Sequence, residues 1–399
     1  IFGIFYAFLH HLRRVDIYLH GLSWHAALQG WSPESLTHLL TQDLLLQAMG
    51  IAACYAGFFL GPSFPRPRIR FSYPRNLGSK VLVTVLFSAT VFAAYMQTRG
   101  GIVSHILSWG EGRTEALAGA FYWQFFAQVG MIACLSWLTI DRRSTSKPLF
   151  WGCTIIALGM AFLSGGSRST LVYFMIMGLL AWLLRERKIA VMRVIAIALA
   201  GIFALGVLGA FRNSTFDGEI DWNTLWGGGT ETAAPEESGL AAGLSEVSAR
   251  SGSHAGVFPI LALVPDQVDY LHGKSYLAIV TLPIPRVLWP PKPGLLPGMV
   301  GRTFFDIPVG MPAGPIGEAY WNFGVPGVLG VFFVFGLFLQ WLADTFRHYS
   351  AYPAAIVPYV ITLFLLSEPS GLNFTGWLMM LVPAIAFLIA IGAIRWRRT

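Results

Sequence analysis

The sequence predicts an all-α polytopic membrane protein, with about ten or more transmembrane helices and one large outward loop. Apolar residues make up 55% of the chain, charged residues only 12%, and the mean hydropathy is +0.60. Soluble domains carry about 25% charged residues, so this composition excludes an ordinary soluble protein. The apolar residues also cluster into long runs, and one interval between those runs is long and polar.

The apolar runs are the candidate membrane-spanning helices. They fall at about 1–10, 43–61, 81–98, 118–140, 149–164, 169–184, 189–211, 326–343, 354–367 and 377–394. A spanning helix needs about 20 residues, so the shorter runs must include flanking residues. Because the sequence starts with Ile inside an apolar run, we expect its natural start to lie upstream and do not interpret residues 1–9 as a signal peptide.

Basic residues set the expected orientation. The connections 62–80, 141–148 and 185–188 are rich in Lys and Arg, as is the tail from Arg395. Such connections stay on the cytoplasmic side, so the long loop 212–325 is expected to face outward. The chain then divides into an N-terminal transmembrane bundle (1–211), a large outward loop (212–325), and C-terminal transmembrane helices with a basic cytoplasmic tail (326–399).

The outward loop has two parts of different composition. Residues 213–249 are acidic and rich in Gly, Ser, Thr and Ala, which predicts a mobile segment. Residues 250–324 combine prolines, aromatic residues and cations, which predicts a folded active-site loop containing short helices. Val257–Val264 and Tyr276–Leu282 are too short to span and indicate re-entrant or interfacial segments. The outward loops 11–42, 99–117 and 368–376 are expected to surround the same site.

Several outward cations lie where the positive-inside rule prefers none. They are Arg168, in the short turn Ser164–Thr170, and Arg250, Arg286, Lys292 and Arg302 in the long loop. A planar guanidinium group suits phosphate or pyrophosphate. The alternative for Arg168 is contact with lipid headgroups. For Arg302 it is an ordinary ion pair with Asp306, about one helical turn away.

Glu318 is the candidate general base. It precedes a membrane span, among the aromatic residues of Gly317–Gly324, where a carboxyl with a raised pKa can accept a proton. The alternative role is to orient one of the arginines. His254 is a second candidate, although a lone histidine is more often a hydrogen-bonding loop residue. The sequence has no phosphate-binding loop and no metal-ligand cluster, so we expect chemistry that needs no metal or cofactor, and no nucleic-acid partner.

At this point the chain resembles a known family. The turn SGGSRS, the loop segments YLHGKSY, IPRVLWPPKP and GEAYWNFG, and the basic inward connections resemble Wzy-type O-antigen polymerases, which are GT-C-like membrane glycosyltransferases. The resemblance implies an inverting, metal-independent enzyme of the bacterial inner membrane. It would join oligosaccharide repeat units carried on undecaprenyl pyrophosphate, with both donor and acceptor on this lipid. A chain-length-regulating co-polymerase is the expected protein partner.

On this scheme each candidate residue has a role. We expect Arg168, Arg250 and Arg286 to bind the pyrophosphates, with Lys292 and Arg302 in support. Glu318, or in second place His254, would orient or deprotonate the acceptor hydroxyl. The sugar-binding candidates are Trp289, Tyr320, Trp321 and Asn322. The first alternative is an O-antigen ligase that transfers the glycan to lipid A-core. The second is a lipid-linked glycan transporter, which is disfavoured because the predicted spans carry few charged residues.

Overall fold

A computed structural model describes residues 32–106, 121–165, 168–186, 256–281, 284, 288–289, 292, 294–307 and 310–396. Its helices are α1 (Pro33–Leu60), α2 (Leu77–Thr98), α3 (Phe121–Ile140), α4 (Pro148–Gly165), α5 (Arg168–Glu186), α6 (Val257–Leu263), α7 (Lys274–Thr281), α8 (Leu296–Phe304), α9 (Gly314–Tyr349), α10 (Pro353–Leu365) and α11 (Gly371–Ala390). Two short strands, β1 (Ile69–Phe71) and β2 (Ile394–Trp396), pair antiparallel.

Four of the described helices are long and apolar enough to cross a membrane. They are Thr37–Leu60, Leu77–Thr98, Gly314–Tyr349 and Asn373–Ala390. Their outer faces expose large apolar side chains, including Leu60, which is 81% exposed, and Val83, which is 65% exposed. Exposed apolar surface of this kind suits contact with lipid rather than water. The helical architecture is therefore confirmed, with four described helices that could span a membrane. The larger number of spans stays a prediction, and segments 1–10 and 189–211 lie outside the described residues.

The described residues form two compact units. The first lies within Ile1–Pro67, Ala249–His348 and Leu365–Leu378, and contains α1, α6, α7, α8 and most of α9. The second lies within Arg68–Ser248, Tyr349–Phe364 and Met379–Thr399, and contains α2 to α5. These units group residues that pack together in space. The division of the chain along its sequence into 1–211, 212–325 and 326–399 stays a prediction.

Glycines let α1 and α9 approach closely in the first unit. A Cβ atom at Gly57 would overlap the carbonyl oxygen of Phe333, and one at Gly336 would overlap the carbonyl oxygen of Cys54. Small residues drive helix association in membranes because they permit backbone contact where the hydrophobic effect contributes little. Helix α6 packs on the same helix α1. Helix α6, which belongs to the loop predicted to face outward, is therefore part of the hydrophobic core of this unit.

Helix α9 is broken after Asn322. Gly324 has φ 64° and ψ −152°, a backbone conformation that is essentially confined to glycine. Pro326 has no N–H with which to bond the carbonyl of Asn322. The backbone groups released by the break find other partners: the N–H of Leu271 donates to the carbonyl of Trp321 over 2.9 Å. The break is thus stabilised by the segment that precedes α7.

The second unit is a bundle in which α3 packs on α2, α4 and α5. Ser88 of α2 is fully buried, and its hydroxyl accepts a hydrogen bond from the N–H of Gly130 over 3.0 Å. At the end of α3, the buried guanidinium of Arg185 donates to the carbonyl of Leu138. An arginine at this position satisfies carbonyl groups that the end of a helix leaves without partners.

The strand pair was not predicted from the sequence. The N–H of Ile69 donates to the hydroxyl of Tyr349 over 3.2 Å, and the Phe71 ring stacks on Tyr352. The hydroxyl of Ser72 donates to the carbonyl of Gly392. The connection after α1 and the segment after α11 therefore meet, whereas their place on the cytoplasmic side of the membrane stays a prediction.

Candidate active site around Glu318

Glu318 is enclosed by three segments of the first unit. Its residue is 1% exposed and lies near the start of α9. The hydroxyl of Ser275, in α7, donates to Oε1 over 2.8 Å, and the N–H of Gly371, at the start of α11, donates to Oε2 over 2.6 Å. Both carboxylate oxygens therefore accept hydrogen bonds. Within the described residues no arginine bonds Glu318, so the alternative of orienting an arginine has no support in these contacts.

Asn322 ties the same segments together one helical turn later. Its amide nitrogen donates to the hydroxyl of Ser275 over 2.8 Å and to the carbonyl of Glu318 over 2.7 Å. Its amide oxygen accepts from the N–H of Gly273 over 2.8 Å. Asn322 is fully buried, so its side chain fixes α7 against α9. Such a fully bonded network holds the Glu318 carboxylate in one orientation.

The start of α11 is built to receive the carboxylate. The hydroxyl of Ser370 accepts from the N–H of Asn373 over 3.3 Å, the bond expected of a residue that caps a helix. This leaves the N–H of Gly371 for Glu318, where the helix dipole favours a negative charge. A Cβ atom at Gly371 would lie 2.7 Å from Oε1 of Glu318. A second buried carboxylate, Glu368, accepts from the Ser370 hydroxyl over 3.2 Å.

Tyr276 contributes a donor beside this network. Its hydroxyl oxygen is buried and has no hydrogen-bond partner among the residues that the structure describes. Burial raises the pKa of Tyr276 well above its usual value, and the nearby charge of Glu318 raises it further. The phenol therefore stays protonated at neutral pH. A buried hydroxyl without a partner is costly unless something fills the position, and a substrate hydroxyl or ring oxygen has the right chemistry.

Two described cations of the loop, Arg302 and Lys292, are not part of the hydrogen-bond network around Glu318. Arg302 lies in the last turn of α8 and is exposed, and in the described parts of the loop it makes no ion pair with Asp306 or with another residue. Its guanidinium lies beside Gly294, where a Cβ atom would come within 3.2 Å of it. Lys292 donates to the carbonyl of Ile284 over 2.9 Å. Arg302 is thus available to an external anion.

The predicted sugar-stacking residues have unequal exposure. Trp321 is only 2% exposed, packs edge-on against Phe304 at 4.8 Å, and donates from its indole nitrogen to the carbonyl of Asp269 over 3.2 Å. Its position supports the core of the unit rather than an open stacking surface. Tyr320 is 9% exposed, whereas Trp289 is partly exposed and has more surface to offer a sugar.

The remaining predicted residues cannot be placed. Arg250, His254 and Arg286 lie outside the described residues. Arg168 is the first residue of α5, but its side chain is not among those described. The structure therefore brings together Glu318 and Asn322, and the pyrophosphate-binding role of the other arginines stays a prediction.

Sequence reasoning missed four residues of this network: Ser275, Tyr276, Glu368 and Gly371. The first two belong to the segment YLHGKSY, which attracted attention only as a loop motif. The other two belong to the loop 368–376, which was expected near the site without any residue being singled out. Their pairing with Glu318 spans 43 residues for Ser275 and 53 residues for Gly371, so no local pattern in the sequence reports it.

Known proteins offer no guide to this site, because comparison with protein families, curated proteins and solved structures finds no match to the chain.

Proposed function

We propose that this protein is a membrane glycosyltransferase that polymerises oligosaccharide repeat units carried on undecaprenyl pyrophosphate, at the periplasmic face of the bacterial inner membrane. A hydroxyl of the acceptor sugar attacks the anomeric carbon of the donor. The bond from that carbon to the pyrophosphate breaks, undecaprenyl pyrophosphate leaves, and the configuration inverts. The proposal applies the Wzy-type resemblance to the residues around Glu318.

The observation that carries this proposal is the position of Glu318. It is a buried carboxylate with both oxygens bonded, in a unit where short helices and a membrane-length helix share one core. A catalytic side chain that is held in this way is already oriented before the reaction, so it does not have to rearrange while the reaction takes place. The donor Tyr276 and the available guanidinium of Arg302 belong to the same unit. They provide partners for a hydroxyl and for an anion.

The chemistry requires little more than positioning and charge. Pyrophosphate is a good leaving group, so catalysis depends on stabilising the negative charge that it gains. Arg302 is suited to that task, alongside Arg168, Arg250 and Arg286. Glu318 would accept the proton of the attacking hydroxyl, which requires that hydroxyl to replace one of the present donors at the carboxylate.

A lipid-linked glycan transporter remains a second candidate, because two buried carboxylates lie in helices of membrane-spanning length. Asp43 is fully buried in α1 and accepts a hydrogen bond from the side-chain amide of Gln47 over 2.8 Å. Glu318 lies in α9. Ionisable residues inside spans commonly mark ion or substrate pathways. The sequence had placed Asp43 only at the edge of a span, so the structure makes this alternative stronger than the sequence did.

The test is reconstitution of the purified protein with synthetic undecaprenyl-pyrophosphate-linked repeat units, with a chelator present and product length measured on a gel. A ladder of products supports the polymerase. Transfer only when a lipid A-core acceptor is added identifies the ligase. If neither product forms and the protein moves lipid-linked glycan across proteoliposomes, the transporter replaces the proposal.

Two variants connect the reaction to the site. Glu318→Gln preserves the side-chain volume, and we expect it to abolish the ladder while the protein stays folded. Asp266→Asn is the matched control, because Asp266 is an exposed carboxylate of the same unit. We expect the control to keep the full ladder. A normal ladder from Glu318→Gln would remove Glu318 from the chemistry.

A further inference from the structure

The strand pair β1–β2 places two arginines directly opposite each other. Arg70 in β1 is the register partner of Arg395 in β2. Residues facing each other across an antiparallel pair have Cα atoms roughly 4.5–5.5 Å apart. Like charges at such positions repel and destabilise the pair. An arrangement of this kind calls for a compensating negative charge.

The two arginines share the open face of the ribbon. Side chains alternate along a strand, so Ile69 and Phe71 point to one face and Arg70 to the other. The first face is covered, since Ile394, the partner of Phe71, is only 4% exposed and Phe71 packs against Tyr349 at 5.2 Å. The opposite face carries the exposed guanidinium groups of Arg70 and Arg395.

No acidic side chain compensates this charge in the described part of the chain. Neither Arg70 nor Arg395 makes an ion pair or a hydrogen bond through its side chain there. Two more exposed arginines, Arg68 and Arg75, flank β1. Lys80, by contrast, is already engaged, because its ammonium group donates to the carbonyl of Ile391 over 2.8 Å. The ribbon is therefore a concentrated positive surface.

The ribbon also lies at the end of two membrane-length helices. Strand β1 ends six residues before α2 begins at Leu77, and β2 begins four residues after α11 ends at Ala390. Elements so close to the ends of spans lie at the depth of the lipid headgroups. Tyr73, between β1 and α2, is 68% exposed, as expected of an aromatic residue at the membrane interface.

We propose that Arg70 and Arg395 together bind the phosphate of an anionic phospholipid headgroup. Guanidinium groups bind phosphate oxygens in pairs of parallel hydrogen bonds, and two facing guanidiniums can hold one phosphate between them. The bound phosphate replaces repulsion between the strands with attraction to a shared anion. The site would tie the segment after α11 to the connection after α1, and it is independent of the proposed glycosyltransferase reaction.

The experiment is thermal unfolding of the full-length protein in a neutral detergent, after delipidation. Phosphatidylglycerol, phosphatidylcholine or inorganic phosphate is added in separate arms at the same concentration. For the unaltered protein we expect the largest rise in Tm with phosphatidylglycerol. An equal rise with inorganic phosphate would replace the lipid with a free phosphate ion, and an equal rise with phosphatidylcholine would overturn the proposal.

Variants of the two arginines distinguish lipid binding from a structural role, because the two roles predict opposite changes in the Tm measured without lipid. In Arg70→Gln and Arg395→Gln the repulsion is removed, so Tm without lipid should rise, while the effect of phosphatidylglycerol should fall to that of phosphatidylcholine. Arg70→Glu should raise the lipid-free Tm further, because Glu faces Arg395. The control Arg142→Gln removes an exposed arginine elsewhere in the same unit and should keep the full lipid effect. A lower lipid-free Tm in Arg70→Gln, or an undiminished lipid effect, would refute the site.

Discussion

Replacing Glu318 by alanine should destabilise the protein strongly. The change removes the acceptor of two buried donors, the Ser275 hydroxyl and the Gly371 N–H. A buried donor left without a partner costs about 1–3 kcal/mol, so the loss for Glu318→Ala should be about 4 kcal/mol. Glu318→Gln keeps an oxygen for Gly371 and an amide for the Ser275 oxygen. The hydroxyl hydrogen of Ser275 then has lost its acceptor, so this variant should lose about 2 kcal/mol, less than the alanine variant.

The measurement is the free energy of unfolding in mild detergent, at one pH and one lipid concentration, for both variants. Glu34→Ala serves as the control, because Glu34 is an exposed carboxylate of the same unit. It should lie within about 0.5 kcal/mol of the unaltered protein. Equal losses below about 1 kcal/mol for both Glu318 variants would refute the reasoning, since neither donor could then depend on the carboxylate.

Three further changes test the fold. Gly57→Ala should cost about 2 kcal/mol, because the new Cβ atom overlaps the carbonyl oxygen of Phe333, whereas Gly330→Ala, with nothing within 4 Å of its new Cβ atom, should be near neutral in the same unfolding measurement. Gly324→Ala should cost about 2 kcal/mol from its backbone conformation alone, and a neutral result there would mean that the break in α9 is absent. Burial disfavours the charged form of Asp141, but hydrogen bonds from Lys147 and its other donors outweigh that effect and lower its pKa. The stabilisation by Asp141 is therefore present above its unfolded pKa of about 3.9 and disappears as pH falls through the lower folded value. The Tm of the unaltered protein should therefore exceed that of Asp141→Asn at neutral pH, and this difference should shrink as the pH falls. A difference that grows on acidification would contradict the reasoning.

The sequence predicted most of the helices, since an apolar run in lipid must satisfy its backbone internally and a helix does so. It predicted boundaries less well. Helix α1 begins at Pro33, ten residues before the apolar run at 43–61, because the hydroxyl of Ser32 caps it and Pro33 suits the first helical position. The strand pair escaped prediction because β1 and β2 are three residues each and lie more than 300 residues apart.

The candidate site was predictable only in part. Glu318 could be selected because a carboxylate beside a span is unusual. Its partners could not, because Ser275 and Gly371 reach it through tertiary packing. Tertiary packing also explains the outcome for Trp321. Its aromatic ring suggested stacking on a sugar, but a large ring near the start of α9 can equally well fill the hydrophobic core. Exposure depends on neighbours that the local sequence does not identify.

The break in α9 links the candidate site to the fold. In a continuous helix the carbonyl of Trp321 would accept from Val325, but at the break it accepts from Leu271, and Asn322 bonds Gly273. The break therefore holds the segment before α7, which in turn holds Ser275 against Glu318. Damage to this scaffold removes activity and stability together, as expected for Gly324→Ala. Loss of the glycan ladder in a Glu318→Gln protein that is still folded, and more stable than Glu318→Ala, would instead identify the carboxylate itself as part of the reaction.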